Sequence, residues 1–149
     1  SRHRPVGIGR TRSSLEQPER LMLYAILCYN SEDIVGSWSK EEEAAVMARL
    51  GAVQEKLAKA GRLGPVARLL PTTAATTLRK TKGEPLVLDG PFAETKEQLL
   101  GFYIIDCASL EDAVETAKEL LHANAGVGGY EIRPLLLFKP APSADGKVA

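Results

Sequence analysis

Two amphipathic helical patterns, each lying between apolar β-prone runs, restrict the fold of this chain more than any other feature. Residues 39–42 (SKEE) form a capping box, in which the Ser39 and Glu42 side chains cap each other's backbone N–H groups. Apolar residues then recur at helical spacing until Gly61, at Val46, Leu50, Val53 and Leu57. Ser109 caps a second helix, whose apolar stripe is Leu110, Ala113, Val114, Ala117, Leu120 and Leu121.

Short β-prone runs fill the space around these helices. The predicted strands are residues 22–29, 63–70, 75–80, 84–88, 99–106 and 130–138. Residues 75–80 and 84–88 flank the turn signal Lys82-Gly83 and are predicted to form a hairpin. The order β-α-β-(β-β)-β-α-β predicts an α+β fold, a ferredoxin-like split βαβ arrangement that carries an inserted β-hairpin.

The strand composition also predicts a partner surface. Residues 22–29, 101–105 and 135–138 are apolar at successive positions, so both faces of the sheet are apolar there. Two helices on one side would cover only one face. A second copy that packs sheet to sheet is the simplest cover for the other face, so we predict a homodimer whose facing sheets enclose a central space.

The chain ends and the charge distribution limit the classes of partner. Residues 1–21 hold five Arg against Glu16 and Glu19, a net charge of +3, which leaves −3 on the remainder because the total is zero. We interpret residues 1–21 as a disordered extension ahead of a natural start at Met22. Residues 22–139 form one domain and 140–149 a flexible tail. The acidic body argues against direct nucleic-acid binding, and no apolar run reaches membrane-spanning length, so we predict a cytoplasmic protein.

The cysteine and histidine residues give little indication of a catalytic or metal-binding site. Cys28 and Cys107 lie in or beside apolar runs and are interpreted as small hydrophobic residues, with a disulfide or a thiol nucleophile as the alternatives. His122 falls at a helix end, where a cation suits the helix dipole. No Cys/His spacing typical of a metal site occurs in the sequence, so we predict neither a metal nor a cofactor.

Residues 89–98 (DGPFAETKEQ), followed by the strand LLGFYIID, resemble the signature of the DGPF family within the YCII-related proteins. The similarity covers roughly residues 22–138, including the closing YEIRP. It implies a ferredoxin-like fold that forms a dimeric α+β barrel, the architecture of muconolactone isomerases and small cofactor-free monooxygenases. It also implies a bacterial protein. Most members have no assigned reaction, and some are encoded beside, or fused to, sigma factors of the extracytoplasmic-function type.

The chain departs from the family pattern at two places. The YCII branch proper uses a His–Asp pair with its His after the first strand, whereas NSEDIVGSWS contains no His, so that chemistry cannot be transferred. A second Gly commonly precedes the strand after the signature loop, where this chain has Leu100 before Gly101. The change at Leu100 affects the local backbone before the strand and not the membership of the family.

Asp89-Gly90 begins a turn, Pro91 directs the chain out of the hairpin, and Phe92 is predicted to anchor the loop on the core. In a partly dry barrel mouth, the carboxylates of Asp89 and Glu94 would have raised pKa values suited to proton transfer. The predicted substrate-binding residues are Arg79, Lys96, Arg133, Glu131, Tyr24 and Tyr103. Tyr24 and Tyr103 are expected to face the same space.

These residues permit three interpretations. One is a cofactor-independent isomerase or lyase that acts on a small acidic or lactone-like molecule. Another is a non-enzymatic ligand-binding or regulatory module linked to an extracytoplasmic-function sigma factor. The third is purely architectural, with Asp89 capping a turn and Arg133 paired to Glu131, Asp89 or Glu94.

Overall fold

A computed structural model describes residues 22–142 of the chain, so the predicted N-terminal extension and residues 143–149 of the predicted tail lie outside the described residues. The strands are β1 (Met22–Asn30), β2 (Leu63–Arg68), β3 (Thr76–Arg79), β4 (Leu86–Asp89), β5 (Gln98–Cys107) and β6 (Gly129–Pro134). The α-helices are α1 (Glu32–Gly36), α2 (Lys40–Lys59) and α3 (Leu110–Ala123), and a 3-10 turn spans Thr72–Ala74.

Four strands form an antiparallel sheet in the order β2-β5-β1-β6. When these four strands are numbered by their order along the chain, they lie side by side in the sheet as second, third, first and fourth. This is the ferredoxin-like arrangement. The strands β3 and β4 pair separately as a two-stranded hairpin. The α+β class, the ferredoxin-like topology and the inserted hairpin predicted from the sequence are therefore confirmed.

The two long helices begin where their caps predict. Ser39 Oγ accepts a hydrogen bond from the Glu42 N–H at 3.0 Å, and Glu42 Oε1 accepts one from the Ser39 N–H at 2.8 Å. Ser109 Oγ accepts from the Asp112 N–H at 3.1 Å. After α2, Gly61 takes a φ of +73°, a left-handed conformation that glycine adopts without steric cost.

The core lies between the helices and one face of the sheet. Tyr24 and Ile26 of β1 share it with Tyr103 and Ile105 of β5, since Ile26 is opposite Tyr103 and Tyr24 is opposite Ile105. The helices contribute buried side chains from both α2 and α3: Val46, Leu50, Leu57, Ala113, Ala117, Leu120 and Ala123. Because strand side chains alternate between faces, the residues between these positions point to the other side of the sheet.

That other face, called here the open face, is apolar in its two central strands. Ala25 is opposite Ile104 and Leu27 is opposite Phe102. At the β6 side, Ala25 and Leu27 are opposite Arg133 and Glu131, so the apolar strip meets a charged pair there. Helices α2 and α3 both pack on the opposite side of the sheet.

Two details differ from the sequence-based expectation. The final strand ends at Pro134 and not at residue 138, because proline lacks the N–H that the strand ladder needs. The Leu135 N–H still donates to the Leu23 carbonyl at 2.9 Å, but Leu136 is fully exposed.

The prediction that Phe92 anchors the loop in the core is wrong: Phe92 is 71% exposed and packs under the Arg79 guanidinium, 4.3 Å from the ring centroid.

Candidate ligand-binding site

A cavity of about 510 Å³ lies between α2 and the helix-facing side of the sheet. Its walls come from the C-terminal half of β1, α1, α2, β2 and the residues after it, β5, and the segment around β6. Trp38, Met47 and Leu50 give one wall an apolar character. This volume falls within the usual range for small-molecule sites, which are mostly apolar concave spaces with a few polar groups.

Two tyrosine hydroxyls supply polar groups in this cavity. The Gln54 side-chain amide of α2 donates to Tyr103 Oη at 3.5 Å. The Asn124 amide, just after α3, donates to Tyr130 Oη at 2.9 Å. Burial raises the pKa of Tyr103 and of Tyr130, and the amide hydrogen bonds lower it by less. Both phenols keep their proton at neutral pH. Each hydroxyl has one proton to donate, which Tyr103 can offer to a ligand oxygen directly and Tyr130 by turning it away from Cys28.

Cys28 lies on the same wall and is held as a neutral thiol. Burial raises its pKa to about 12, which outweighs the opposite effect of a hydrogen bond from Tyr130. A nucleophilic cysteine needs a low pKa, so Cys28 is not activated. Cys28, which is partly buried, and Cys107, which is buried, are both free thiols, which agrees with their interpretation as small hydrophobic residues and not with a disulfide.

Charged side chains lie at the mouth of the cavity. Arg68 at the end of β2 contacts Glu43 of α2, with Nη1 3.1 Å from Oε2. The Glu32 carboxylate accepts two hydrogen bonds from Thr72, from the backbone N–H at 2.6 Å and from the hydroxyl at 2.7 Å. These bonds tie the segment after β2 to α1 and fix one lip of the cavity.

Two glycines allow the walls to approach closely. A Cβ at Gly101 of β5 would collide with the Ala67 carbonyl oxygen, so only glycine permits β2 to pair at this point. Gly128 has a φ of +146°, and a Cβ there would lie 2.6 Å from the Tyr29 carbonyl oxygen. The turn before β6 can therefore press against the end of β1, which positions Asn124 and Tyr130 at the cavity.

The structure places the residues predicted from the sequence in three separate regions. Asp89 is exposed in β4 opposite Thr76, and Glu94 and Lys96 are exposed in the following loop; Arg79 lies in the paired strand β3. Glu131 and Arg133 form an ion pair at 3.0 Å on the open face of β6. Tyr24 and Tyr103 lie on the helix-facing side, across the sheet from Glu131 and Arg133. Of these eight residues, Tyr103 alone lines the cavity.

Several cavity residues were missed by sequence reasoning. Gln54 could have been identified from the sequence as a candidate cavity residue, because it is polar and directly follows Val53 of the apolar stripe of α2. Tyr130 is predicted from the sequence only as a strand residue, and Asn124 lies beyond the apolar stripe of the second helix. Arg68 lies at the end of an edge strand and carries no local motif, so its position depends wholly on tertiary structure.

Neither a metal-binding cluster nor a membrane-spanning helix is found in the described part of the chain. Within residues 22–142, no group of three or more His, Cys, Asp or Glu side chains is arranged to hold a metal ion. Over the same residues, no helix has both the length and the apolar character needed to cross a membrane.

Comparison with known proteins agrees with the fold and the signature loop. The family model of the YCII-related domain matches residues 22–139. An uncharacterized protein of Rhizobium meliloti (strain 1021) is 64% identical over 119 residues, which cover 80% of this chain and 96% of that protein. The predicted membership of the YCII-related proteins is thereby confirmed. This chain belongs to the family of proteins with a YCII-related domain.

Proposed function

We propose that the cavity between α2 and the sheet is a binding site for a small organic molecule with an apolar body and a carbonyl or hydroxyl oxygen. The observation that carries this proposal is the pair of neutral tyrosine hydroxyls, Tyr103 and Tyr130, each held by a side-chain amide in a largely apolar space. Few but well-placed polar groups in an apolar cavity are typical of sites that fix the orientation of a ligand.

The electrostatics of the site favour an oxygen acceptor over a charged group at the tyrosine end. Burial that raises the pKa of both phenols also makes this end unfavourable for a carboxylate, because a buried anion would be poorly solvated. A carbonyl oxygen, by contrast, needs only the hydrogen bond that a phenol donates. The cavity therefore suits a lactone-like or keto group at this end.

A cofactor-independent isomerase or lyase reaction at the same site is a second proposal. The Tyr103 and Tyr130 hydroxyls could stabilise the negative charge that develops on a carbonyl oxygen during enolisation. Proton removal would need a carboxylate, and Glu32 and Glu43 both line the cavity. The original candidates for proton transfer, Asp89 and Glu94, are exposed on the hairpin and its loop. If Asp89→Asn abolished turnover without lowering the melting temperature, the hairpin assignment would be favoured over Glu32 and Glu43.

The regulatory alternative uses the cavity as a sensor site and links it to an extracytoplasmic-function sigma factor. Its support is the family resemblance together with the absence of an activated cysteine at Cys28. A pull-down that retains a sigma factor, with retention altered by a cavity ligand, would support this alternative. Failure to retain any sigma factor would count against it.

We also propose that the chain forms a homodimer through the open face. Leu27 and Phe102 lie in its centre, and the Glu131–Arg133 pair lies beside them. Ala25 and Ile104 are already buried in the single chain, so a second copy packed sheet to sheet would mainly remove Leu27 and Phe102 from water. Burial of apolar area is the main driving force for such association.

The binding proposal is tested by ligand-observed NMR with a library of small ketones, lactones, phenols and carboxylic acids. The variant Val66→Trp fills the cavity, because Val66 lines it, and Val87→Trp is the matched control on the hairpin. We expect neutral oxygen-bearing compounds to bind the unmodified protein and Val87→Trp, and to lose binding in Val66→Trp. Equal binding to both variants would refute the cavity as the site.

A further inference from the structure

Two arginines flank the helix-facing side of β2, and their hydrogen bonding differs sharply. Arg62, just before β2, uses two nitrogens for four partners: Nε donates to the Asp106 carbonyl at 3.0 Å, and Nη2 contacts Asp112, Thr116 and Cys107. It fastens α3 to the sheet. Arg68 uses one nitrogen, Nη1, which contacts Glu43 at 3.1 Å and Met47 at 3.6 Å.

The Arg68 side chain is 53% exposed, so it keeps N–H donors at the mouth of the cavity that a ligand can take in place of water. A guanidinium has five N–H donors in a fixed fork that matches a carboxylate. Within the described part of the chain, Nη1 is the Arg68 nitrogen that donates to protein acceptors, whereas Nε and Nη2 donate to none. The residue lines the cavity, and the other charged groups beside it are already engaged, Glu43 by Arg68 itself and Glu32 by Thr72.

The strand register gives the spacing between this fork and the tyrosine end. Arg68 is opposite Gly101, and Val66 is opposite Tyr103, so Arg68 and Tyr103 are offset by one two-residue step on the same face. Such a step covers about 7 Å along the strand. Arg68, Gly101 and Tyr103 all line the cavity, and the position that a Cβ of Gly101 would take is filled by the β2 backbone at Ala67.

From this arrangement, we propose that the ligand is a monocarboxylic acid, whose carboxylate is bound by the Arg68 fork at the mouth and whose carbonyl or hydroxyl oxygen reaches Tyr103 and Tyr130. This inference rests on the proposed function and specifies its ligand class. Arg68 is thus a specificity residue that selects acids over neutral or basic molecules of the same shape. Glu43 weakens the binding of an acid by Arg68, because the Glu43 carboxylate competes for the same guanidinium.

The test uses three rigid compounds that differ in one group: 4-acetylbenzoate, 4-acetylbenzamide and 4-acetylbenzylamine. Dissociation constants are measured by NMR titration at low ionic strength, where charge interactions are least screened. We expect the acid to bind about five- to tenfold more tightly than the amide, and the amine most weakly. Arg68→Gln should remove the preference for the acid, and Arg68→Lys should keep part of it because the charge remains without the fork.

Two further variants sharpen the result. Glu43→Gln should strengthen binding of the acid and leave binding of the amide unchanged. Lys56→Gln is the matched control, since Lys56 forms an exposed ion pair with Glu119 at 2.7 Å and does not line the cavity. It should leave all three affinities unchanged.

The outcomes separate this inference from the function on which it rests. Equal affinity for acid and amide, or equal losses of both in Arg68→Gln, would overturn the acid proposal while the cavity remained a binding site. Preference for the amine would overturn it as well. If none of the three compounds bound, or if bound compounds were unaffected by Val66→Trp, the proposed function itself would fail and the acid proposal with it.

Discussion

Asn124 Nδ2 lies 2.9 Å from the phenolic oxygen of Tyr130, so the residue that follows α3 holds a hydroxyl group of the cavity. We predict that this hydrogen bond contributes about 1 kcal/mol to the free energy of unfolding. A double-mutant cycle with Asn124→Ala and Tyr130→Phe, measured by urea denaturation, checks the value. Additive effects of the two substitutions would show that the bond contributes nothing to stability.

The protonation of Cys28 predicts how stability depends on pH. Burial raises the pKa of this thiol from 9.0 to about 12, so both the folded and unfolded states keep the proton below pH 9. Between pH 9 and 12 the unfolded state loses its proton first, and stability falls as pH rises, by about 1.4 kcal/mol per pH unit for one such group.

Urea denaturation of the unmodified protein and of Cys28→Ala between pH 7 and 11 measures this slope. Cys28→Ala should lose stability less steeply above pH 9, while Tyr103 and Tyr130, whose pKa values burial also raises, still contribute. If the free energy of unfolding falls with pH at the same slope in both proteins, Cys28 is not the cause of this pH dependence.

The two arginines at β2 are predicted to differ in their effect on stability. Arg62→Met should lower the free energy of unfolding by about 2–3 kcal/mol, because it leaves several partly buried acceptors without a donor. Arg68→Gln breaks an exposed ion pair and should cost less than about 1 kcal/mol. Equal losses in the two variants, measured by chemical denaturation, would contradict the distinction between a structural and a binding arginine.

The open face predicts the effect of a charge on assembly. Leu27→Arg places a cation in the centre of the apolar strip and should give a folded monomer, as measured by light scattering and circular dichroism. Leu121→Arg is a matched control at an exposed position of α3 and should leave the dimer intact. An unmodified protein that is monomeric across micromolar concentrations would contradict the proposed homodimer.

Local chemistry was sufficient to predict most of the fold. The capping box of Ser39 and Glu42, the cap at Ser109 and the stop at Gly61 all act within a few residues, so they can be read without tertiary information. The hairpin follows from the turn at Lys82-Gly83 in the same way. The end of β6 was missed because the apolar residues after Pro134 continue a strand-like pattern, although proline interrupts the ladder.

The cavity could not be predicted to the same extent, because its residues come from different elements. Gln54, Arg68, Asn124 and Tyr130 meet only after α2 has packed across the sheet and Gly128 has brought the final turn against β1. The signature loop at residues 89–98 identified the family, yet its charged residues lie on the exposed hairpin side. Family recognition and site location therefore depended on different parts of the chain.

The most direct test of the account is a ¹H–¹⁵N NMR titration of the protein with 4-acetylbenzoate. We predict that the backbone signals of Gln54, Arg68, Tyr103 and Tyr130 shift together with one dissociation constant, and that those of Asp89, Glu94 and Lys96 do not move. Shifts confined to the hairpin and its loop, with the cavity signals unchanged, would contradict ligand binding between α2 and the sheet.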